Sequence, residues 1–100
     1  MKYSVNGNTL VICMQEDIIS TTATRLQSEY KNALAATSLA NAVELDLGSV
    51  RMIDSQGLNL VYGLYMEAKK LKWSFKVINA SAPIIHLFSL LKLSTFFGLE

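Results

Sequence analysis

The chain reads as an α/β fold: a mixed β-sheet in the order β-β-α-β-α-β-α, with helices packed mainly on one face. Three observations predict it. Four short runs carry the apolar/polar alternation of half-buried strands. The first two are joined through Asn6-Gly7-Asn8, a hairpin signal. Between and after the later strands come runs with apolar residues three to four positions apart, the period of a helix packed on one side. Strands separated by helices imply parallel crossovers, while the hairpin is antiparallel, so the sheet is mixed.

In chain order, "KYSVNGNTLVICM" supplies the two hairpin strands. A helix follows in which Leu26, Tyr30 and Leu34 recur four apart, with Ser20 or Thr21 as its expected N-cap. In "NAVELDLG" the residues Val43, Leu45 and Leu47 alternate with Glu44 and Asp46, and Gly48 ends the strand. A polar knot, Asp54-Ser55-Gln56-Gly57, opens a second helix that runs to about Leu71. "WSFKVIN" is the fourth strand, alternating Trp73, Phe75 and Val77 with Ser74 and Lys76. Ser81-Ala82-Pro83 starts the last helix, with proline in the first turn, where its missing N–H costs nothing.

One hundred residues are expected to form one domain, residues 1–100, with a single core. Apolar residues make up 51% and the formal net charge is +1, which argues against disorder and against nucleic-acid binding driven by bulk charge. The lone Cys13 excludes an intramolecular disulfide; lying in "LVICM", it reads as a core thiol in a reducing, cytoplasmic setting. One cysteine and one histidine give no zinc spacing, and no cofactor or metal is expected. The start lacks the apolar stretch of a secretory signal. "APIIHLFSLLKLSTFFGL" is broken by Pro83, His86 and Lys92 and is short for a membrane span, so it reads as a buried or partner-covered helix without membrane insertion. Phe96 and Phe97 on that segment could support a dimer, and the oligomeric state stays open.

On a helical wheel, Leu58, Val61, Leu64, Tyr65, Ala68 and Leu71 share the core side of the second helix. Ser55, Asn59, Tyr62 and Met66 form the opposite stripe, flanked by Gly63, Glu67, Lys69 and Lys70. An outward tyrosine and methionine in line suit a contact surface. Ser55 begins this stripe at the helix's positive end, where a phosphate is tolerated and adds about −1.5 to −2 charge. Capping of the helix by Asp54 and Ser55 is the plainer role for the same residues.

The stretch "AVELDLGSVRMIDSQGLNLVYGL" resembles the signature of the STAS domain in bacterial anti-anti-sigma factors (anti-sigma factor antagonists). The likeness lies in an alternating strand ending in L-D-L, an apolar residue before D-S-x-G-L, and then a helix. The hairpin, "TATRL", "FKVIN" and "LFSLLKL" follow the family's order. The resemblance implies a STAS-like fold and a non-enzymatic switch. Ser55 would be phosphorylated by a partner serine kinase that is also the anti-sigma factor, of the histidine-kinase-like ATPase class, and restored by a PP2C-type phosphatase. Asp54 and Gly57 would support the phosphosite; Gln56, Asn59, Tyr62, Gly63 and Met66 would meet the partner. Where the family often carries an acid after the second strand, this chain has Glu16, Asp17, Ile18 and Ile19, with isoleucine at the aspartate position. Gln56 stands where small residues are commoner.

A catalytic Ser55 with His86 as base and Asp54 or Asp46 as orienter is disfavoured: Asp54 is adjacent in sequence and G-x-S-x-G is absent. No glycine-rich phosphate loop supports nucleotide binding. The competing reading is a STAS adaptor that binds a transporter ATPase or scaffold through the same helix without phosphorylation.

Overall fold

A computed structural model describes residues 1–93, so Phe96 and Phe97 lie outside the described residues. Its elements are β1 (Lys2–Asn6), β2 (Thr9–Cys13), α1 (Ser20–Ala36), β3 (Ala42–Asp46), α2 (Ser55–Lys70), β4 (Ser74–Ile78) and α3 (Ala82–Leu90). The sheet order is β1-β2-β3-β4, with β1 antiparallel to β2 and the other two pairings parallel. The two-residue turn between β1 and β2 has Gly7 at φ 63°, a left-handed conformation that glycine adopts without a Cβ penalty.

Register explains the core. Leu10, Val43 and Phe75 lie side by side across three strands, as do Ile12, Leu45 and Val77, and all six are buried. Alternation sends their neighbours Val11, Cys13, Glu44 and Lys76 to the other side, where none is buried. The helices cover the first face with Leu26, Tyr30, Ala33 and Leu34 from α1, Leu60, Val61, Leu64 and Ala68 from α2, and Ile84 and Phe88 from α3. Among the described residues no buried side chain is polar or charged. Cys13 therefore departs from the core reading: it ends a strand on the side away from the helices and is half-exposed.

Three further expectations shift. The N-cap of α1 is Ile19, and the Thr22 hydroxyl accepts from the Ile19 N–H at 3.1 Å, so neither Ser20 nor Thr21 caps. Leu71 is 47% exposed because it is the C-cap of α2, beyond the sheet, where the chain turns back through Lys72 at φ 61°. Leu60, which the wheel left off the core side, is buried, since the buried face of α2 is centred on Leu60, Val61 and Leu64.

Candidate functional site

The loops before α1 and α2 are tied into one corner. Ile18 and Ile53 form an isolated parallel bridge. The Ile18 N–H donates to the Met52 carbonyl at 3.1 Å, and the Asp54 N–H donates to the Ile18 carbonyl at 3.3 Å. Two carboxylates complete the lock. Asp17 Oδ1 accepts from the backbone N–H groups of Arg51 at 2.8 Å and Met52 at 3.1 Å. Asp54 is the N-cap of α2: its Oδ1 accepts from the Gly57 N–H at 2.8 Å, while its Oδ2 accepts from the Ser20 N–H of α1, also at 2.8 Å.

One aspartate thus serves the N-termini of two helices, neither of which has an acidic residue in its first turn. Both helix ends carry partial positive charge and unsatisfied N–H groups, so a shared anion is favoured there. The N–H donors of Gly57, then Ser20, hold the Asp54 carboxyl below its ordinary range. A depressed folded-state pKa stabilises the protein above the unfolded value, and that stabilisation is lost as pH falls through the folded one. Melting temperature should fall on acidification below about pH 4, and less steeply in Asp54→Asn; parallel curves for the two would refute this role for Asp54.

Gly57 fits this corner for a steric reason. A Cβ there would lie 1.7 Å from the Ile18 carbonyl oxygen and 2.6 Å from its carbon. The glycine supports the site by letting two backbones touch.

Ser55 is the first residue of α2 and is exposed, and none of the hydrogen bonds among the described residues uses its hydroxyl. The lock is made around it. Gln56, Asn59, Tyr62 and Met66 continue as an exposed line, with Tyr62 at 44% and Met66 at 41%. Tyr62 is braced from behind: its ring lies 5.8 Å from that of Tyr65, which meets Phe75 edge-on at 5.6 Å, and the Lys69 ammonium sits 5.4 Å above the Tyr65 ring. Exposed Met52, at 59%, precedes the knot. Gly63 departs from the outward line. It is half-buried at the α1–α2 crossing, where a Cβ would stand 3.1 Å from the Tyr30 hydroxyl. A methyl there would press on the Tyr30 hydroxyl, which gives glycine a packing reason at a mid-helix position where it costs about 1 kcal/mol against alanine.

Sequence reasoning missed Asp17 and Thr22. The family resemblance drew attention to Ile19, yet Ile19 acts through its backbone as the α1 cap, and the acid that supports the loop is Asp17, two residues earlier. The Thr22 hydroxyl donates to the Asp17 carbonyl at 2.8 Å, steadying that residue. A lone aspartate shortly before a helix was the available signal, and it is a weak one. His86 is exposed on α3, and no hydrogen bond joins it to Ser55 among the described residues. Among those residues, no group of three or more His, Cys, Asp or Glu could hold a metal ion, and no helix is long and apolar enough to cross a membrane.

No curated protein matches the chain in sequence. Solved structures do match in fold. A Thermotoga maritima protein assigned as an anti-sigma factor antagonist superposes with a TM-score of 0.82 at 15% identity, covering 94% of this chain and 80% of its own. The Bacillus cell fate determinant SpoIIAA in its phosphorylated form gives 0.72 at 17% identity, covering 95% of this chain and 86% of that one. The anti-sigma factor antagonist SpoIIAA in its unphosphorylated form gives 0.69 at 17%, covering 89% and 81%. The family model described as "Mlab, STAS domain" matches residues 1–99, and with the sheet order and helix placement above, this shows that the chain belongs to the STAS domain family.

Proposed function

We propose that the chain is a cytoplasmic, anti-anti-sigma-like regulatory switch, a non-enzymatic protein that binds a partner serine kinase when Ser55 is unmodified and releases it when Ser55 is phosphorylated. One observation carries this reading: Ser55 is exposed at the positive end of α2, inside a corner whose hydrogen bonds are made by Asp17, Asp54 and the backbone. A phosphate can be added there without breaking any bond that holds the fold. It would place about −1.5 to −2 charge beside Asp54 and at the head of the Tyr62–Met66 line, on a chain of net charge +1. The change in surface potential is local and large, so it acts on partner affinity. The likeness to an antagonist solved in both phosphorylated and unphosphorylated forms supports the reading. The partner would be a kinase of the histidine-kinase-like ATPase class, and a PP2C-type phosphatase would reset the serine.

The test is affinity capture from the native cell with three baits. Unmodified protein and Ser55→Ala should retain the ATPase-kinase. Ser55→Asp should lose it by about tenfold or more, because it puts a negative charge, which must be desolvated on docking, at the head of the exposed Tyr62–Met66 line. Circular dichroism should be the same for all three. Equal capture by all three baits would remove the switch and leave the adaptor reading, in which the same α2 surface docks a transporter ATPase or scaffold without modification.

A further inference from the structure

The two edges of the sheet are guarded unequally. Edge strand β4 carries Lys76 at its centre, a charge that discourages strand addition. Edge strand β1 has its only charge, Lys2, at one end, contains neither proline nor glycine, and is exposed along its whole length. Its register makes that exposure unusual. Tyr3 lies opposite Ile12 and Val5 opposite Leu10, so both extend the two apolar rows of the core face, yet they are 47% and 53% exposed. Beside them an open cavity of about 370 Å³ is lined by Val5, Ala36, Leu39 and Ala40 among others, and Leu39 is 91% exposed.

We infer that β1 is a homodimer interface, in which β1 of one copy pairs antiparallel with β1 of a second about a two-fold axis at Ser4. The strand "KYSVN" is complementary to itself in that register. Tyr3 faces Val5 of the second copy, an aromatic–β-branched pair; Ser4 faces Ser4; Lys2 faces Asn6, so no like charges meet. Each apolar row then runs on into the other copy: Phe75, Val43, Leu10 and Val5 continue through the second copy's Tyr3 and Ile12. The second copy's tyrosine, being the cross-strand neighbour of Val5, reaches the cavity that Val5 lines. A two-fold axis uses the same patch on both copies, so the contact closes at a dimer. Five residues of strand pairing give a small contact, at the low end of specific interfaces, so the dimer is concentration-dependent.

Sedimentation of the full chain from about 10 µM to about 1 mM should show a monomer–dimer equilibrium. Val5→Lys should abolish it while leaving the circular dichroism spectrum unchanged. Register is tested in a Cys13→Ser background. Ser4→Cys should form a covalent dimer under mild oxidation. Lys2→Cys alone should not, since its two copies would stand about 14 Å apart along the strand, beyond disulfide reach. A mixture of Lys2→Cys and Asn6→Cys should cross-link. A monomer over the whole range, a dimer indifferent to Val5→Lys, or cross-linking by Lys2→Cys equal to that by Ser4→Cys would each overturn the inference.

Discussion

Gly57→Ala should destabilise the protein by about 3 kcal/mol or more, although alanine is the better helix former by about 1 kcal/mol. The clash decides the sign. An added methyl would sit 1.7 Å from the Ile18 carbonyl oxygen, and both atoms near it are backbone, so no side-chain rotation relieves the overlap. Relief requires moving α2 away from Ile18, which breaks the Ile18–Ile53 bridge and stretches the Asp54 N–H bond to the Ile18 carbonyl. The Asp54 carboxylate would also lose its geometry to Ser20, its donor from α1. Urea denaturation of the variant should show a midpoint far below the parent's, and partner capture should fail because Ser55 has moved with the helix. An unchanged midpoint would mean that the contact between α2 and Ile18 is looser than described.

Tyr62→Glu and Met66→Glu should each lower partner affinity by about thirtyfold or more, with at most about 1 kcal/mol of stability lost. The magnitude is that of a contact hot spot of about 2 kcal/mol, a class in which tyrosine is enriched. Both side chains are exposed by about two-fifths, so neither contributes much to the core. Tyr62 is the better candidate for the energetic centre because its ring already rests against Tyr65, itself set edge-on to Phe75; less side-chain freedom is then lost on binding. Its removal also costs a tilted aromatic contact of about 1 kcal/mol, a shift of several degrees in melting temperature for a chain of this size. At position 66 an acid would stand four residues before Lys70, a favourable helical spacing, so stability should stay within about 0.5 kcal/mol. Loss of capture together with a collapse in melting temperature would show that these side chains serve the fold.

Much of this geometry was legible in the sequence because it rests on local periodicity. Leu10/Ile12, Val43/Leu45 and Phe75/Val77 announce strands with one buried face, and the residues between them are polar or small enough for the other side. The exposed line through Ser55, Asn59, Tyr62 and Met66 followed from helical spacing alone. What escaped is long-range. Asp17 supports an N–H 34 residues away, and Asp54 caps a helix whose first residue lies equally far back in the chain. Nothing in the composition of either loop says that the two will meet. Ser20 and Thr21 carry the chemistry of a cap, but Thr22 and Asp54 take those bonds, so propensity gave way to tertiary contact. Gly57 looked like part of a motif; only the packing against Ile18 explains why the motif needs a glycine.

Phosphosite mapping by mass spectrometry, on the protein isolated from its own cells in growing and stressed states, tests the central claim most directly. A phosphoryl group should be found on the peptide containing Ser55, confined to the fraction not bound to the ATPase-kinase, with the bound fraction unmodified. An unmodified Ser55 in every state, or equal phosphorylation of bound and free protein, would contradict it.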